Sequence, residues 1–273
     1  MPRQWLGMEL RRLREAAGLT IHQVATILDC SDATISRIET ARVRPTPRDV
    51  RDMLKIYRVT GQQRDGLIQL ARDARQKGWW HQAFGDLPLT KLVSLEDQAI
   101  SIHTYQSTLV PALLQTEEYA RVVLWSSPPD PAIQTERRLR FLIARQAILE
   151  RENPPTLWAV LDEDVLRRPV GSRHVMRRQL AHLSDMAARP NVVLQVLPHH
   201  VGAHPGIDGR FEVLRFNNPV DPGVVHLEYM TGDLHMEDAQ MVSRYVSIFD
   251  RLKAMALTPE ESLNFIIERL NTT

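Results

Sequence analysis

Asp32, Ala33, Ser36 and Arg37 are the residues of this 273-residue chain best suited to chemistry at a surface. All four are small or polar, and their spacing places them on one face of a helix. The chemistry such a face supports is hydrogen-bond readout of base edges. A front of that size fits the major groove, and an arginine fork matches O6 and N7 of guanine. Thr20, Gln23, Ser31, Thr34, Arg42 and Arg44 stand near them as candidates for contacts to phosphate oxygens.

Other groupings promise less. Asp162, Glu163 and Asp164 follow one apolar run, and Glu228 ends another. Clustered carboxylates at strand ends hold Mg²⁺ in phosphodiester hydrolysis. Restriction-type chemistry adds a lysine, and past Lys91 only Lys253 remains, so capping and solvated loops account better for the acids. His199, His200 and His204 follow Pro198 and enclose Gly202, so no helix aligns their imidazoles on a metal. Ser172 lacks the glycine that follows a nucleophile at a sharp turn, and nothing orders a base beside it. Gly202, Gly206 and Gly209 lack the strand-to-helix setting and the lysine of a phosphate cradle, and they read as a long hairpin loop. No catalytic residue, metal ligand or cofactor is expected.

The elements that must position the first group lie within residues 19–42, which read as two short helices joined by a tight turn. Val24 and Ala25 form the inner face of the first helix, and Asp29-Cys30 breaks it. Ser31 caps the second, whose apolar residues are Ala33, Ile35 and Ile38. Thr46 caps a further helix that begins with Pro47 and buries Val50, Met53, Leu54 and Tyr57. Another helix over residues 62–75 presents Leu67, Ile68, Leu70 and Ala71, which completes a five-helix bundle. Trp79 and Trp80 then mark a boundary, where packing suits them better than base stacking.

The second half reads as α+β. Helices are predicted over residues 92–105, 117–125, 135–151, 175–187, 238–255 and 262–270. Strands are predicted over 157–161, 192–197, 211–216 and 224–229, which implies one sheet of about four or five strands. The expected division is a helix-turn-helix unit at 1–76, a linker at 77–88 and an α+β domain at 89–273. Charge divides in the same place. Residues 1–78 hold 15 basic and 9 acidic side chains, a net of +6, while the remainder holds 19 and 24, a net of −5. A basic module joined to an acidic companion is the electrostatic pattern of a nucleic-acid binder. A lone cysteine, Cys30, excludes an internal disulfide, and no apolar run approaches a membrane span. A cytoplasmic protein is expected.

The span ELRRLREAAGLT, QVA, TISRIE over residues 6–75 resembles the XRE family of phage-repressor-like regulators. Matching positions are Leu13, Arg14, Gly18, Leu19, Thr20, Ala25, Leu28, Ser31, Thr34, Ile35, Ser36, Ile38 and Glu39. The family often carries Gly where this chain has Ala41. Residues 95–270, with LVPALLQTEEYAR, WAVLDEDVLRRPVG, NVVLQVLP, GAHPGIDGRFEVLRF and HLEYMTGD, are similar to the C-terminal domain of a large group of actinobacterial XRE regulators. That group usually has Gly in place of Ala112. The resemblance implies a sequence-specific regulator, a homodimer on an inverted-repeat DNA operator, whose second domain binds a small partner protein encoded nearby or a signal. An antitoxin that neutralises the small protein, with autoregulatory DNA binding, is the alternative, and a metal-dependent nuclease is the second.

Overall fold

Three helices of the N-terminal unit end in one hydrogen-bonding pattern, and that pattern sets the angles between them. Helix α1, Pro2–Ala16, ends where Gly18 N–H bonds the Glu15 carbonyl (3.0 Å) and Leu19 N–H bonds that of Arg14 (3.1 Å). Helix α2, Ile21–Ile27, ends with Asp29 N–H on Thr26 (3.3 Å) and Cys30 N–H on Ala25 (2.9 Å). In α4, Pro47–Ile56, the equivalent bonds run from Arg58 to Lys55 (3.2 Å) and from Val59 to Leu54 (2.9 Å). Each closure needs a left-handed residue, and Gly18, Asp29 and Arg58 supply it at φ of 69°, 51° and 58°. For Asp29 and Arg58 that conformation costs about 1–2 kcal/mol each, offset by the satisfied carbonyls and the apolar residues that follow.

The structure, a computed structural model, describes residues 2–40, 42–43, 45–73, 90–126, 132–217, 221–229 and 232–273. The expected linker, with Trp79 and Trp80, lies outside the described residues, as do Ala41 and Arg44. The chain divides into two compact units, Met1–Trp79 and Trp80–Thr273. Helices α3, Asp32–Glu39, and α5, Gly61–Asp73, complete the bundle of the first. Leu6, Leu10, Val24, Ala25, Ile35, Ile38, Met53, Leu54, Leu67 and Ala71 form its core. Among the described residues no helix is long and apolar enough to cross a membrane.

Gly7 is where α1 meets α3. A Cβ there would stand 2.7 Å from the Glu39 carbonyl oxygen and 2.8 Å from that of Ile38, both backbone atoms. Ala at this position gains about 1 kcal/mol in helix propensity but overpacks the crossing at about 1–3 kcal/mol. Gly7→Ala is therefore expected to destabilise the unit by about 1 kcal/mol net, read as a lower urea midpoint with an unchanged slope.

The second unit is built on a six-stranded mixed sheet in the order β3-β2-β1-β4-β5-β6. Strands β1 (Ser101–Gln106), β2 (Thr156–Asp162) and β3 (Val192–Leu197) run parallel; β4 (Phe211–Arg215) pairs antiparallel with β1, and β5 (Val224–Tyr229) and β6 (Gly232–Met236) follow, each antiparallel to its neighbour. The α+β class is as expected, with more strands than the four or five counted from sequence. The predicted helix over 92–105 is in fact α6, Thr90–Gln98, followed by β1. Strand β1 is central and buried on both sides, so it lacks the alternation that marks a half-exposed strand. Strand β6 was missed because GDLHM is short, polar and at the edge.

Helices α7 (Glu117–Ser126), α8 (Ala132–Arg145), α9 (Glu163–Arg167), α10 (Arg173–Ala187), α11 (Ala239–Met255) and α12 (Pro259–Thr272) surround the sheet. The chain predicted as helix to residue 151 leaves the α-helix at Arg145 for a 3₁₀ turn, Gln146–Leu149. Ala112 opens a second 3₁₀ turn, Ala112–Leu114, with no left-handed residue, so the family's glycine is not needed there. Val242, Phe249 and Leu252 of α11 cover one face of the sheet against Tyr105, Phe211, Val213 and Val225. Arg145 and Glu96 are buried and paired bidentately, with Nε and Nη2 donating to Oε2 and Oε1.

Candidate nucleic-acid interface

Helix α3 is anchored from behind by a buried ion pair. Arg14 of α1 donates from Nε and Nη2 to Oε1 and Oε2 of Glu39, at 2.7 and 2.9 Å, and from Nη1 to the Leu19 carbonyl at 2.8 Å. Only 7% of Arg14 and 5% of Glu39 is exposed. The Glu39 hydrogen bond holds the guanidinium above its ordinary pKa. One fork thus joins α1, the turn into α2 and the last residue of α3. Ile35 and Ile38 bury the inner face of α3 in the core.

What remains outward is the predicted face. Asp32, Ala33 and Arg37 are exposed and Ser36 is half-buried. The Arg37 Nε donates to the Ala33 carbonyl at 3.0 Å, which lays the side chain along the helix. Asp32 lies 3.2 Å from Nδ1 of His22, so it is tied towards α2.

The phosphate candidates divide into two groups. Thr20 and Gln23 form a capping box on α2: the Gln23 N–H donates to Thr20 Oγ1 at 3.2 Å, and the Thr20 N–H donates to Gln23 Oε1 at 2.8 Å. Ser31 accepts from the Thr34 N–H at 3.2 Å, and the two hydroxyls stand 2.9 Å apart. These four side chains hold the starts of the two helices, where outward N–H groups and the helix dipole favour an anion. Arg42 is exposed beyond α3, and its N–H closes back on the Arg37 carbonyl at 2.7 Å. Arg44 lies outside the described residues.

In the second unit, Asp162, Asp164 and His199 come together, which local spacing concealed because β2 and the segment after β3 lie side by side. The Asp162 carboxylate caps α9 through the Asp164 N–H at 3.0 Å, and His199 Nε2 lies 3.1 Å from Asp164. Buried Glu163 accepts from the His199 N–H at 2.9 Å and pairs with Arg167; although burial pushes its carboxyl up, these partners hold it below the usual range. Asp162 thus holds the helix start and Glu163 ties it to the segment after β3, while the Asp164 carboxylate faces the His199 ring. His204 approaches Asp162 at 3.7 Å from the glycine-containing loop, where Gly206 lies against the Tyr105 ring.

Residues 5–67 match the family model described as a helix-turn-helix domain, and residues 89–268 match that of the domain of unknown function DUF5753. No curated protein and no solved structure matches the chain.

Proposed function

We propose, from the premise that this chain belongs to the DUF5753 family and is a DNA-binding regulator with an N-terminal helix-turn-helix domain, that it acts as a homodimer on an inverted repeat and that its second unit binds a small protein or signal. The observation that carries DNA readout is the small, polar, outward face of α3, backed by the buried Arg14–Glu39 fork. Arg37, Ser36, Ala33 and Asp32 are assigned to base edges. Thr20, Gln23, Ser31, Thr34, Arg42 and Arg44 are assigned to the backbone. One helix of this length spans only a few base pairs, so tight specific binding calls for two copies about 34 Å apart. We assign the second unit a binding role and no catalysis. What supports this is that Asp162 is engaged in capping and Glu163 in pairing.

Footprinting on the chain's own upstream region, with light scattering of the complex, tests the reading. The expected result is a protected inverted repeat bound by two chains, with affinity falling steeply as salt rises. One chain per specific site would refute the dimer. Capture of the small protein encoded alongside, by the full chain, is expected to leave that footprint's position unchanged.

A further inference from the structure

The register of the sheet places Thr104, Glu212, His226 and His235 opposite one another on four adjacent strands. Cross-strand partners share a face, so these polar groups form one row on the face opposite the apolar cover of α11. Asp233, two residues before His235 on β6, joins the row at its edge. His226 is 3% exposed, and its Nδ1 has no hydrogen-bond partner among the described residues. That nitrogen stands 3.9 Å from Asp233 Oδ2, too far for a hydrogen bond, and His235 Nδ1 stands 3.4 Å from the same oxygen. One ligand atom from each of the three residues falls within 4.8 Å of the others.

From this convergence we propose that His226, Asp233 and His235 bind a divalent first-row transition ion of the Zn²⁺ kind. Two imidazoles and a carboxylate are the donor set such ions take, whereas Mg²⁺ and Ca²⁺ take oxygen alone. Bonds of about 2.0–2.2 Å round a tetrahedral ion set ligand atoms roughly 3.3 Å apart, so small rotations of the His226 ring and the Asp233 carboxylate close the site. The three ligands leave a fourth position for water. The cations nearby do not stand in the way: Arg210 is paired with Glu228 at 3.0 Å, Arg145 with Glu96, and Lys91 lies 3.9 Å from Glu237. The ion ties the edge strand β6 to β5 through side chains, in addition to their backbone pairing.

The test uses the full chain, stripped with chelator, then titrated with ZnCl₂ by calorimetry and with CoCl₂ by visible absorption. The expected result is one ion per chain, d–d bands of nitrogen- and oxygen-bound Co²⁺, and a higher melting temperature in zinc. Asp233→Asn and His235→Gln should each weaken binding at least tenfold and abolish the thermal shift. Asp233 is at the partly exposed rim, so its variant keeps the fold, checked by an unchanged melting temperature without metal. His199→Gln, in the other carboxylate–histidine cluster, should leave stoichiometry and affinity unchanged. A wild-type chain that retains no ion at micromolar concentration overturns the proposal. So does binding lost in His199→Gln, or binding kept in both Asp233→Asn and His235→Gln.

Discussion

Glu39→Ala is expected to destabilise the N-terminal unit by about 3–5 kcal/mol, the range for removing one partner of a buried ion pair. The cause is the charge left behind rather than the bonds lost. Arg14 would keep its guanidinium in a site that is 7% exposed, with the Leu19 carbonyl to accept from it and the half-exposed Glu15 carboxylate 3.5 Å away as its remaining counter-charge. A small bundle has about 5–15 kcal/mol in all, so much of the population should unfold at modest urea. DNA binding should fall with it, because the fork holds α3 against α1. A second variant separates charge from packing. Replacing both partners, Arg14→Met with Glu39→Leu, removes the charges together and should recover most of the stability. Urea unfolding of the three proteins gives the comparison. A loss below about 1 kcal/mol in Glu39→Ala would mean that water reaches the guanidinium, as at an exposed pair.

That ion pair shows where reading a chain from its residues succeeds and where it stops. The α3 face was legible because a helix's exposed side is a local property of spacing. Arg14 and Glu39 were both among the positions that resemble the XRE family, yet 25 residues separate them and each alone reads as a solvated charge. Only the packing of α1 on α3, permitted by Gly7, brings them together. Helix ends divide in the same way. Gly18 announces its left-handed closure, whereas Asp29 and Arg58 take the same conformation without a glycine to signal it. In the second unit, β1 was hidden by burial on both faces, and the row Thr104–Glu212–His226–His235 exists only through strand register. Long-range pairing, in each case, carries information that no window of sequence holds.

Arg37→Ala is expected to weaken binding to the cognate site by about 1–3 kcal/mol and to relax the preference at one base pair. In the free chain its Nε is engaged by the Ala33 carbonyl, so the exposed side chain already runs along the helix. An arginine fork can meet O6 and N7 of one guanine, a geometry that lysine's single ammonium does not reproduce. Arg37→Lys therefore distinguishes base readout from a phosphate contact. If Arg37 reads a guanine, lysine should lose nearly as much as alanine at the cognate site while nonspecific affinity stays close to that of the parent. If it touches phosphate, lysine should restore binding on every sequence, and alanine should weaken all sequences equally and flatten the salt dependence by about one counterion. Titrations against the cognate site and its single-base variants, at two salt concentrations, decide between these outcomes. The fold should be untouched in either variant, since Arg37 is exposed and outside the core, so any loss of affinity belongs to the interface.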